Sequence, residues 1–221
     1  MTEHDQPDHD HDPHDHPGHG SFDERARDWD DDTKVARGRA VASLVRDLVT
    51  VDDTTRLLEY GAGTGLATQF LAEGPLGPVT LADPSSGMRE VMAEKVADGR
   101  LPANARIWDL DLATDERPGD QFDLLVTVMT LHHVTDLVPV LTGFANLLAD
   151  DGRLCVVDLE SEDGSFHADT DFDVHDGFRR EDLQRWLESS GFAKVSFHDA
   201  GEVDKDGRAY PLFLALARPN H

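Results

Sequence analysis

Glu59-Tyr60-Gly61-Ala62-Gly63-Thr64-Gly65 is the stretch of this chain best suited to holding a ligand. Closely spaced glycines permit a tight turn and let a ligand approach the backbone without meeting a Cβ. Their spacing narrows the choice. A dinucleotide fingerprint, G-x-G-x-x-G, needs its third glycine at position 66, where this chain has Leu66; a Walker-type phosphate loop needs a Lys that does not follow. Glu59, just ahead of the glycines, would repel a pyrophosphate and favours a ligand bearing an ammonium and a sulfonium. Asp83 has two readings: its carboxylate accepts both hydroxyls of a ribose, or it only caps the following helix. His132, His133 and His167 offer imidazoles able to take a proton near pH 7. His133 and His167 are the candidates for orienting or deprotonating an acceptor, against loop hydrogen bonding and helix capping. His4, His9, His11, His14, His16 and His19, interleaved with Asp and Pro, form a weak, multi-mode site for zinc, nickel or copper, or simply a solvated tail.

Alternating strands and helices must position these groups. Helical spacing covers residues 34–48, and a strand over 56–60 runs into the glycine loop, followed by a helix over 66–72. Residues 79–83 read as a second strand. Ser85 is the N-cap of a helix that runs to Ala97 and stops at Gly99. Residues 106–108 are a short third strand. Residues 122–128 are apolar without alternation, as in a strand covered on both faces. A helix spans 136–148, with Pro139 tolerable only in its first turn. Asp150-Asp151-Gly152 reads as a turn, 154–158 as a fifth strand, and 180–189 as a helix closed by Gly191. Strands over 194–198 and 211–218 flank Asp206-Gly207 as an antiparallel hairpin. The pattern predicts an α/β, three-layer Rossmann-like sandwich. Its seven-stranded sheet is mostly parallel with a C-terminal antiparallel hairpin, and helices cover both faces. In such sheets ligands bind beyond the carboxyl ends of the strands, where strand order reverses.

Leu58-Glu59-Tyr60-Gly61-Ala62-Gly63-Thr64-Gly65 resembles the first motif of class I S-adenosylmethionine-dependent methyltransferases, and the resemblance runs from about Phe22 to Arg218. Phe22-Asp23-Glu24-Arg25-Ala26 with Trp29-Asp30 is similar to the segment that often covers the cofactor, which makes Trp29 either a lid or core. Ala82-Asp83-Pro84-Ser85-Ser86-Gly87-Met88 resembles the ribose-binding second motif, placing Met88 against the adenine. Trp108-Asp109-Leu110-Asp111-Leu112 resembles the third, in which Asp111 meets the adenine amino group and Leu112 its neighbouring edge; Asp109 is a second candidate for that contact. The stretch from Phe122 through Val128 to Thr130-Leu131-His132-His133 resembles the fourth strand and its exit. The resemblance implies S-adenosylmethionine as cofactor, bound by Trp29, Glu59, Gly61, Gly63, Gly65, Asp83, Pro84, Met88, Asp111, Leu112 and Val128. It also implies a small-molecule acceptor, contributed to by the segments 158–167 and 175–178, and often no dedicated catalytic residue. Tyr60 departs from the pattern, standing where an apolar residue or Gly is common. The alternatives are an NAD(P)-dependent oxidoreductase on a Rossmann fold and a non-enzymatic metal-binding or sensor protein.

Composition agrees with a single enzyme-sized domain. The chain has 221 residues, 45 acidic against 20 basic, and a formal charge of −25. Such a surface repels nucleic-acid phosphates and anionic lipid. One cysteine, Cys155, excludes a disulfide framework and a thiolate-built metal site, and is expected to be an inert buried thiol. Residues 1–20 have too little apolar surface to offset their ordering entropy and read as a disordered tail, with the methyltransferase domain over 21–221. With no apolar run of membrane length and a polar N-terminus, the expectation is a cytoplasmic protein.

Overall fold

Capping residues and glycines set most element boundaries in the computed structural model, which describes residues 19–167 and 175–220. The first helix, α1, is His19–Arg25 and leads through a 3-10 turn, Ala26–Asp28, into α2, Asp32–Leu48. α2 starts ahead of its apolar periodicity because the Asp31 carboxylate accepts the Lys34 N–H at 2.8 Å and caps it. The side chains of His4, His9, His11, His14, His16 and His19, and so the tail metal reading, lie outside what is described.

The alternation then proceeds as β1 Leu57–Tyr60, α3 Leu66–Leu71, β2 Val79–Ala82, α4 Ser86–Ala97, β3 Arg106–Trp108 and β4 Phe122–Val128. Ser85 caps α4 by accepting the Met88 N–H at 3.2 Å, and Gly99, at φ +80°, follows its end in the left-handed region. α5 is Leu137–Leu147, capped by Asp136, so Pro139 falls in the first turn, where an N–H has no helical partner to lose. β5 Leu148–Leu159, α6 Arg180–Ser189, β6 Phe192–Lys205 and β7 Arg208–Pro219 complete the fold.

The seven strands lie in the order β3-β2-β1-β4-β5-β7-β6, parallel from β3 to β5 and antiparallel at β7 and β6. Alternate side chains feed two cores. Leu57, Leu81, Leu124, Val126, Cys155 and Val157 pack with Val41 and Val45 of α2, Phe70 of α3 and Met92 of α4. Leu58, Tyr60, Leu125, Leu154 and Val156 pack with Val140 and Phe144 of α5 and Leu183 and Leu187 of α6. These buried side chains contribute about 1.5–3 kcal/mol each against exposure. The result is the three-layer α/β sandwich expected.

Two boundaries differ from expectation. The turn at Asp150-Asp151-Gly152 is absorbed into β5 as an irregularity, with the register against β4 shifting between Phe122↔Leu148 and Leu124↔Arg153. The terminal hairpin is longer than its apolar stretches, because backbone pairing continues through exposed polar residues to the Asp206-Gly207 turn, both residues at positive φ.

Candidate active site

Strand order reverses between β1 and β4, and at their carboxyl ends lies a cavity of about 620 Å³. That size suits a small-molecule ligand. Gly61 and Gly63 line it at φ +62° and +55°. A Cβ on Gly61 would stand 2.5 Å from Thr130 Oγ1 and 2.9 Å from Thr130 Cβ, whereas one on Gly63 would meet only Trp29 Nε1 at 3.6 Å. Gly61 is therefore required by packing against the β4 exit as well as by backbone conformation, and Gly63 by conformation alone. Thr130 donates its hydroxyl to the Gly61 carbonyl at 3.2 Å, tying the two loops together. Met129 turns the chain off β4 at φ +55°, a left-handed conformation that costs a non-glycine residue roughly 1–2 kcal/mol.

Two carboxylates face this cavity from buried positions. Glu59 accepts the Thr68 N–H at 2.9 Å, yet burial pushes its pKa up to about 7. Asp83 accepts the Gly63 N–H at 2.7 Å and the Ser85 N–H at 2.9 Å; burial outweighs these and raises it to about 6. A bound cation would return Glu59 to its charged form. Tyr60 sits beneath, its hydroxyl accepting the Leu112 N–H at 3.0 Å and donating to Asp111 at 3.3 Å. The tyrosine thereby braces the loop after β3.

The N-terminal segment forms the roof. Asp23 accepts from the Ser85 hydroxyl at 2.6 Å and the Gly87 N–H at 2.8 Å. Asp30 accepts the Thr64 hydroxyl and pairs at 2.6 Å with Lys95, whose side chain is fully buried. Phe22, Trp29, Lys34 and Arg37 complete this side of the cavity. Burial lowers the Arg37 pKa, with Asp31 and Asp158 opposing.

Beyond Thr130, the 3-10 turn Leu131–His133 brings two histidines against a third. His132 is buried, its Nδ1 lying 2.6 Å from Asp158 Oδ1, while its own N–H reaches the other carboxylate oxygen at 3.3 Å. His133 lines the cavity; burial, then His132 and His167, push its pKa down to about 2. His167 is lowered to about 4, mainly by burial, then by His132 and Lys205. Lys205 at the end of β6 donates to the Phe166 carbonyl at 2.5 Å, and Phe166 packs edge-on to Tyr210 of β7. The long hairpin thus packs against the segment that brings His167 beside His132 and His133.

Glu59, Gly61, Gly63, Asp83, Pro84, Met88, Asp111, Val128, Trp29 and His133 all line the one cavity. Gly65, Leu112 and His167 do not. Gly65 precedes α3 at φ +77° with Leu101 beside it. Leu112 directs its side chain into the core, where it fills the space left by Gly143. Asp109 forms a two-pronged pair with Arg89 at 2.9 Å, away from the cavity. Trp108 packs against Phe122 and the core, and Cys155 is buried with its pKa raised to about 12. Arg37 and Met129 were not singled out by motif, and the pairing of His132 with Asp158 could not be read from the sequence although both strand ends could. Among the described residues no helix is long and apolar enough to cross a membrane.

Residues 31–197 match the protein family described as methyltransferase domain. A stretch of 117 residues is 33% identical to an uncharacterised methyltransferase of Schizosaccharomyces pombe, covering 50% of this chain and 41% of that protein. The ubiquinone/menaquinone biosynthesis C-methyltransferase of Stutzerimonas stutzeri is 24% identical over 173 residues, 65% of this chain and 67% of the relative. In structure, a SAM-dependent methyltransferase from Aquifex aeolicus superposes with a TM-score of 0.67 at 17% identity, over 88% of this chain and 97% of its own.

Proposed function

Because the chain belongs to the methyltransferase domain family, we propose that it transfers the methyl group of S-adenosylmethionine to a small-molecule acceptor held beside the glycine loop. One observation carries this reading: two left-handed glycines and two buried carboxylates face the same cavity at the β1/β4 reversal. The residues fit the group. Gly61 and Gly63 present backbone to the cavity at positive φ, Glu59 is a buried carboxylate suited to an ammonium, and Asp83 keeps acceptor capacity for ribose hydroxyls. Met88, Pro84 and Asp111 would receive the adenine, with Trp29 over the glycines.

When bound, S-adenosylmethionine supplies a methyl carbon already activated by the sulfonium charge. The protein's task is then alignment and exclusion of water, which together lower a barrier by several kcal/mol. Phe22, Trp29 and Val128 make dry walls, and the Asp23 and Asp30 contacts hold the roof over them. His133 is a neutral imidazole on the acceptor side of Thr130, able to accept a hydrogen bond from an acceptor X–H. Its low basicity suits orientation rather than early deprotonation. The formal charge of −25 favours a neutral or cationic acceptor over nucleic acid.

Calorimetry with S-adenosylhomocysteine tests the reading. Asp83→Ala should weaken binding about 10–150-fold, the equivalent of roughly 1.5–3 kcal/mol for a charge-assisted hydrogen bond. Absence of binding to the native protein at saturating nucleoside would refute the assignment.

A further inference from the structure

His132, His133 and His167 present one ligand-type nitrogen each within 4.8 Å of one another. Their ring centroids are 4.1, 5.0 and 5.1 Å apart. From this cluster we propose that the three histidines form a binding site for a divalent cation of the zinc class. The proposal goes beyond methyl transfer and does not depend on it; a bound cation would take the His133 lone pair in place of the acceptor X–H.

Three features support metal ligation over simple ring packing. Asp158, buried and 2.6 Å from His132 Nδ1, fixes that nitrogen as the N–H and leaves Nε2 as a lone pair. Carboxylates orient metal-binding histidines in this way, and this one would also supply negative charge beside the cation. His167 comes from the loop after β5 and meets the two histidines on the turn after β4, so the three nitrogens converge from separate segments of the chain. Phe22 against His133, and Phe166 against His167 at 4.8 Å, shield the cluster from water. Zn–N bonds of about 2.0–2.1 Å in a tetrahedron set the nitrogens roughly 3.4 Å apart, so closure needs a contraction of at most about 1.4 Å shared by three side-chain rotations. Three protein ligands leave a fourth position open, as in zinc sites that bind water or substrate. No thiolate is within the set, and imidazole alone suits Zn²⁺, Co²⁺ or Ni²⁺ better than Ca²⁺ or Mg²⁺.

The segment 175–178 reinforces the turn that carries two of the ligands. The His175 N–H donates to the His132 carbonyl at 2.8 Å, and His175 Nε2 meets the Val134 carbonyl at 3.0 Å. Gly177, at φ +66°, lets this segment lie against the Glu160 backbone, where a Cβ would intrude.

Co²⁺ titration of the full chain, read by visible absorption, tests the site because tetrahedral cobalt absorbs far more strongly than octahedral cobalt. The tail histidines are the competing ligands. The experiment therefore compares the native chain, a variant with His4, His9, His11, His14, His16 and His19 all changed to Ala, and the variants His133→Gln and His167→Gln. The expected result is one strongly absorbing Co²⁺ per chain in the native and tail variants, with at least a 10-fold loss of affinity in each triad variant. Asp158→Asn should weaken binding about 10–100-fold as a positioning change. Gln retains much of the imidazole volume, and thermal melts confirm folding; should one triad variant not fold, the other decides. Absent strong absorption, absorption that follows the tail, or absorption undiminished in a folded triad variant would each overturn the proposal. Calorimetry with S-adenosylhomocysteine on the same native sample separates this outcome from failure of the methyl-donor reading.

Discussion

Glu59 makes stability and nucleoside binding depend on pH in opposite directions. Its carboxyl titrates near 7 in the folded protein because burial outweighs the Thr68 N–H, against an ordinary value of 4.5. Below about pH 4.5 the group is neutral folded and unfolded, and contributes no slope. As pH rises, the unfolded chain gives up this proton first. The folded state is then the better proton binder, and stability falls until the folded carboxyl has also ionised, near pH 7. At about 1.36 kcal/mol per pKa unit, the loss across that window is about 3 kcal/mol. Glu59→Gln preserves an acceptor for the Thr68 N–H while removing the titration. Urea denaturation of the ligand-free protein at several pH values should show the variant matching the native protein near pH 5. Near pH 8 it should exceed it by up to about 3 kcal/mol. Binding should move the other way, with affinity for the cationic donor increasing toward pH 8 in the native protein and flattening in the variant. Parallel pH slopes of stability, or a Gln variant less stable near pH 8, would refute the reasoning.

Asp30→Ala should destabilise the protein by about 3–5 kcal/mol, because it strands the Lys95 ammonium in a buried position. In a domain this size the melting temperature should fall by roughly 6–20 °C, and adding Lys95→Met should recover most of it. Gly61→Ala and Gly63→Ala both place a side chain at positive φ, at a cost of roughly 1–2 kcal/mol. Only Gly61→Ala also drives a methyl into Thr130, so chemical denaturation should rank it as clearly the more damaging.

The parallel half of the sheet was legible because each strand is an apolar run bounded by a cap or a glycine, and the glycine loop announced its own conformation. Gly61 and Gly63 emerged at positive φ on the cavity wall, with Glu59 and Asp83 beside them. Contacts between distant segments were not legible. Asp30 finds Lys95 across 65 positions, and nothing in either neighbourhood advertises a partner. Asp158 and His132 are brought together by adjacent strand ends, a matter of strand order rather than local pattern. Leu112 follows a strand of three residues, too short for alternation to fix which way its side chain points. The extra length of β6 and β7 escaped notice because an exposed hairpin pairs through its backbone and tolerates charged side chains.

The roof and floor of the cavity come from opposite directions in the chain. Asp23 and Asp30 reach partners some 60 positions downstream, after two strands and two helices have been laid down. The pocket is thus finished only when the earliest described segment returns to dock on structure made after it. An occupant trapped beneath would act as a latch on that docking, slowing protease attack between residues 19 and 31 in proportion to its saturation. Nicking there would then report occupancy without any need to observe turnover.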